Sequence, residues 1–152
     1  MKYFTINELT RSATAKRLAI NNSPTAAVRA NLTALGENIL DPLREAWGAP
    51  IIVTSGVRCP ALNKAVGGAT NSQHMYGQAA DIRTVSDKRE DNMKLLRKLI
   101  DLNLPFDKLI AEYVDSSGRP DWIHVSFSPL HRRIMLTCRA GKYTHGIKTG
   151  IK

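Results

Sequence analysis

Two histidines and one aspartate carry the chemistry legible in this chain. His74 and Asp81 lie seven positions apart within Asn71–Ile82, and His124 sits in a second stretch, Pro120–Ser126. Two imidazoles and a carboxylate, with a fourth position open, are what a catalytic zinc requires. Imidazole with carboxylate and no thiolate points to zinc on ligand softness. A water acidified by such an ion needs a base, and Asp121 is three residues before His124. Its neighbours Pro120 and Trp122 would restrict its solvation and raise its pKa. An oxyanion needs a fixed cation, and Arg58 follows Ser55-Gly56, a turn able to aim it. Taken singly, each residue has an ordinary use. A lone histidine packs or is solvated, Asp81 caps a turn, Asp121 after Pro120 makes a turn, and Arg58 forms an ion pair.

The elements that must position these groups follow from pattern. Thr5 with Glu8 three residues on is a capping box opening a short helix. Residues 11–23 are mixed. Ser23 then reads as a helix cap, with Pro24 at the first helical position. Val28, Leu32, Leu35 and Ile39 form one apolar face, continued by Leu43 and Trp47 past a bend or restart at Pro42. Gly48 and Pro50 end it. Ile51–Thr54, Ala79–Arg83, Lys108–Tyr113, Trp122–Phe127 and Arg133–Arg139 read as strands, and a helix capped by Ser86 or Asp87 runs to about Asn103. Gly77 permits a tight turn between His74 and the strand bearing Asp81. In the fourth strand His124 and Ser126 point opposite to Ile123, Val125 and Phe127. Helices followed by a small antiparallel sheet make an α+β fold. Its 152 residues suffice for a single domain spanning 1–152.

Composition narrows the function classes. No apolar run approaches the ~18 residues of a membrane span, so no membrane insertion is expected. The N-terminus, with Glu8 early, does not read as a secretory signal, and synthesis in the cytoplasm is expected. The net charge of +9 suits an anionic polymer such as nucleic acid, an acidic membrane face or a bacterial wall. The basic residues are densest in the tail, at Arg132, Arg133, Arg139, Lys142, Lys148 and Lys152. No nucleic-acid-binding motif accompanies the charge, and nucleic acid is not expected as a partner. Cys59 and Cys138 lack metal or redox spacing and read as reduced thiols, with a disulfide between them left open. His131 and His145 match no pattern and read as surface residues.

Ser72-Gln73-His74-Met75-Tyr76-Gly77-Gln78-Ala79-Ala80-Asp81 resembles the SxHxxGxAxD signature of the M15 peptidase family. Ser55-Gly56-Val57-Arg58 resembles its SGxR motif, and Asp121-Trp122-Ile123-His124 its acidic-x-x-His motif. The order and separations agree, and the resemblance to the phage-type and small bacterial M15A branch extends across most of the chain. The resemblance implies a fold like that of D,D-peptidases and hedgehog domains. It also implies a zinc-dependent hydrolase of peptidoglycan stem peptides or cross-links, a D,D-carboxypeptidase or an endopeptidase. His74, Asp81 and His124 would then hold Zn2+. Asp121 would be the general base, with Glu112 a rival acid outside the matching motif, and Arg58 would stabilise substrate and transition state. Ser72 would support the site, and Trp122 would join Arg58 and Ser72 in binding substrate. Some relatives carry a histidine where this chain has Trp122, which disfavours endopeptidase subtypes relying on it. The implied partner is peptidoglycan, met by a monomer after release in a phage or host lysis setting, as an endolysin would be. The rival from another class is a non-catalytic zinc module that binds wall or protein.

Overall fold

Helix caps organise the first third of the chain in this computed structural model, which describes residues 1–150. Lys152 of the basic tail lies outside the described residues. Helix α1 (Ile6–Thr10) opens with the expected capping box: Thr5 Oγ1 accepts from the Glu8 N–H, and the Glu8 carboxylate accepts from the Thr5 N–H. Helix α2 (Ala13–Arg17) forms within the mixed stretch, where Ser12 caps the Ala15 N–H. Helix α3 (Ala26–Leu35) is capped by Thr25, so Pro24 falls before the cap instead of inside the helix. The chain then passes through a π turn, Gly36–Leu40, into α4 (Asp41–Trp47). That wider turn absorbs the change expected at Pro42, which sits in the first turn of α4, where a missing N–H costs nothing. Gly48, with φ of 75°, closes α4 in the left-handed conformation.

A six-stranded sheet follows: β1 (Ile51–Ser55), β2 (Ala79–Thr84), β3 (Lys108–Glu112), β4 (Trp122–Ser126), β5 (Ile134–Arg139) and β6 (Lys142–His145). Its spatial order is β1-β2-β4-β3-β5-β6. Short α5 (Pro60–Ala65) and a 3-10 turn (Gln73–Tyr76) lie between β1 and β2, and α6 (Arg89–Asp101) joins β2 to β3. Lys88 stands at the N-cap of α6, one residue beyond Asp87 and two beyond Ser86. Neighbouring strands are antiparallel except β3 and β5, which run parallel. That pair departs from the all-antiparallel expectation. β4 occupies one side of β3, so the chain must cross over to reach the other. Residues 127–133 make that crossing, pinned where Asp107 accepts from the Arg132 backbone and guanidinium. β6 was not anticipated. It forms because Ala140 and Gly141, at φ of 52° and 80°, turn the chain back on β5.

The sheet has two unlike faces. Ala80, Ile82, Leu109, Ala111, Ile123 and Val125 are buried in the core with Leu32, Leu35, Ile39, Leu43, Met93, Leu96 and Leu99 from the helices. Each large aliphatic buried there contributes about 1.5–3 kcal/mol before entropy is charged against it. Period two then assigns Asp81, Glu112, Trp122 and His124 to the other face.

Candidate metal centre

Strand register brings the first two groups together. Asp81 of β2 is directly paired with His124 of β4, so their side chains share a face. His74 arrives from the 3-10 turn, whose Ser72 cap accepts from the His74 N–H. Gly77 ends that turn at φ of 71° and lies against Val28, where a side chain would collide. The Arg58 loop is laced onto the same turn. The Arg58 N–H donates to the His74 carbonyl at 3.0 Å, and Arg58 Nη2 donates to Ser72 Oγ at 3.1 Å.

The result is a compact donor set. Asp81 Oδ1 lies 3.4 Å from His74 Nε2 and 3.3 Å from His124 Nδ1. The candidate donors all lie within 4.8 Å of one another. Ligand bonds of about 2.0–2.1 Å in a tetrahedron put neighbouring donors about 3.3 Å apart, so the spacing fits zinc. His74 Nδ1 donates to the Gly56 carbonyl at 2.7 Å, which leaves Nε2 as the lone pair facing the cluster. Burial alone would push the Asp81 carboxyl up. The close imidazoles of His124, then His74, outweigh it and hold the carboxyl well below its ordinary value. Burial lowers His124, which favours the neutral imidazole a metal needs.

These residues share a cavity of about 460 Å³ with Arg58, Ser72, Glu112, Trp122 and Tyr143. Trp122 stacks on Tyr113 at 5.3 Å between ring centroids and walls one side. Burial pulls the Arg58 guanidinium below its ordinary value, against the pull of Asp81.

Asp121 is not among the lining residues. Its position has the parity of Ile123 and Val125, which turns it toward the helices. There it faces Arg89 at 3.8 Å, with its carboxylate 48% exposed. Asn92 of α6 donates to its carbonyl at 2.8 Å. Glu112 stands in the cavity instead, paired across the strands with Trp122. Glu112 Oε2 is buried and lacks a hydrogen-bond partner among the described residues. Burial, then repulsion from Asp81, raises this carboxyl to about 7, against lowering contacts from Cys138 and Tyr143. In the sequence Glu112 is the rival acid to Asp121, lying outside the three motifs. Its parity with Ile110 was the available signal. Tyr143 had none, because β6 was not foreseen. Cys59 and Cys138 are free thiols, and His131 and His145 are exposed away from the cluster.

Residues 2–126 match the Peptidase M15 family. The chain belongs to that family. The zinc D-Ala-D-Ala carboxypeptidase of Streptomyces albus G is 52% identical over 44 residues, covering 28% of this chain and 17% of the relative. The chain thus spans well under two thirds of that relative's length. In this M15 member the matched span ends at β4, so β5 and β6, which bring Leu136 and Tyr143 to the cavity, lie beyond it.

Proposed function

We propose that this M15 protein is a zinc-dependent hydrolase of peptide bonds in bacterial peptidoglycan. The observation that carries this reading is the three-donor cluster around Asp81 Oδ1 in one cavity with a buried, high-pKa glutamate and a fixed arginine. The partial similarity to a zinc D-Ala-D-Ala carboxypeptidase supports peptidoglycan peptides as the substrate class. The net charge of +9 favours approach to an anionic wall.

His74, Asp81 and His124 would hold the ion. When bound, zinc supplies Lewis-acid polarisation of the scissile carbonyl and acidifies the attacking water toward a pKa of about 7. Glu112, and not Asp121, takes the proton from that water. A carboxyl already raised to about 7 is matched to proton transfer near neutrality. As oxygen bonds to the carbonyl carbon and the C–N bond breaks, Glu112 returns the proton to the departing amine. Arg58, steadied by Ser72 Oγ, offers its charge to the developing oxyanion or to a substrate carboxylate. Trp122 and Tyr113 give the substrate an apolar wall.

The test is turnover. Zinc-loaded protein is incubated with purified peptidoglycan, and new amino termini are counted. Release that vanishes in Glu112→Gln supports the reading. Stoichiometric zinc with no release of amines would leave a binding module in its place.

A further inference from the structure

We propose that a second hollow beside Arg58 is a substrate subsite for a carboxylate-bearing peptide segment, so that substrate runs through the site and is cut at an internal cross-link. This rests on the peptidoglycan hydrolase reading and names its substrate class.

The hollow measures about 560 Å³, and Arg11, Ser12, Lys16, Thr54, Ser55 and Arg58 are among the residues lining it. Arg58 also lines the metal cavity. It therefore stands between two spaces and does not close the end of one. Ser55 is paired with Asp81 across β1 and β2, so the second hollow begins one strand from the donor cluster. On the opposite side, Trp122 and Tyr143 bound the metal cavity. The metal cavity and the second hollow thus lie to either side of Arg58.

A site built to clip a terminal residue closes behind the cation that recognises the chain end. Here the space continues past that cation and becomes more basic. Arg11 follows the end of α1 and Lys16 lies on α2. Both are exposed, and neither joins an ion pair among the described residues. The Nε of Arg58 is buried without a partner among the described residues. Cations with no partner inside the protein attract a partner from outside it, and the side-chain hydroxyls of Ser12 and Ser55 add donors. A peptide arm with free carboxylates matches this lining. A neutral or cationic arm does not.

The experiment compares two substrates on the zinc-loaded protein: a cross-linked muropeptide dimer and the un-cross-linked pentapeptide monomer. Mass spectrometry of the products gives kcat/KM for each. The wild type is expected to prefer the dimer by about tenfold or more, a difference of about 1.4 kcal/mol. The Arg11→Glu, Lys16→Glu double variant, checked for an unchanged melting curve, is expected to lower the dimer-to-monomer ratio about tenfold through a higher KM for the dimer. Preference for the monomer, or a ratio unmoved by the charge reversal, overturns the subsite while leaving the hydrolase reading in place. Turnover of neither substrate overturns the hydrolase reading, and the subsite with it.

Discussion

At the scale of single residues, two carboxylates near the site divide by strand parity. Glu112 shares a face with His124, whereas Asp121 lies one residue out of phase and is turned toward α6. The expected outcome is asymmetric. Glu112→Gln keeps the volume and the metal but loses about 10²–10⁴-fold in kcat, the usual worth of a positioned acid–base group. Asp121→Ala costs at most a few fold, because an exposed pair with Arg89 contributes little. Amine-release kinetics on both variants decide between them, and equal losses would return Asp121 to consideration. His74→Ala and His124→Ala lose a donor each. They are expected to bind zinc at least about tenfold more weakly, read by metal analysis after dialysis. The low Asp81 carboxyl has the same origin as the site itself: two imidazoles aimed at one oxygen.

At the scale of elements, the 3-10 turn bearing His74 is held from two directions. Ser72 and the His74 carbonyl tie it to the Arg58 loop. On the other side Gln73 Nε2 donates to Asp107 Oδ2 at 2.8 Å, and Asp107 also receives Arg132 Nη2 at 2.7 Å. The Arg132 hydrogen bond, more than the cost of burial, holds the Asp107 carboxyl well below its ordinary value. A folded pKa below the unfolded one gives stability that is present above the unfolded value, near 3.8, and lost as pH falls through the folded one. Metal-free protein is therefore expected to lose stability progressively below about pH 4. Asp107→Asn should flatten that limb and cost about 2–4 kcal/mol at neutral pH, measured by urea unfolding across pH. A variant with an unaltered acid limb would show that other carboxylates carry it.

At the scale of the whole molecule, the donors come from a turn, β2 and β4, parts of the chain up to fifty residues apart. A ligand that binds only the folded state stabilises it by mass action. At free zinc of about 100 times the Kd the gain is about 2.7 kcal/mol. Chelation is therefore expected to lower the melting temperature of the wild type and to have little effect on His124→Ala, read by calorimetry with and without chelator. An equal shift in both proteins would place the stabilising ion elsewhere. The core itself needs no metal. One continuous apolar layer fills the space between the helices and one face of the sheet, and the site occupies the other face.

The sequence by itself determined the local features. The Thr5–Glu8 box, the Gly48 stop, the apolar face of α3 and the period-two alternation of β4 depend on neighbours a few residues away, and local sterics and hydrogen bonds suffice for them. It also singled out His74, Asp81 and His124, because three metal-type donors in ordered motifs are a rare coincidence. Tertiary structure decided what depends on packing between distant segments. It set β5 parallel to β3, since β4 already filled the other edge. It added β6, whose exposed residues carry no apolar alternation. It put Glu112, and not Asp121, in the metal cavity, because a one-residue difference in phase sends a strand side chain to the opposite face of the sheet. Spacing to a ligand in the sequence is blind to that phase until the strand's start and its partners are known.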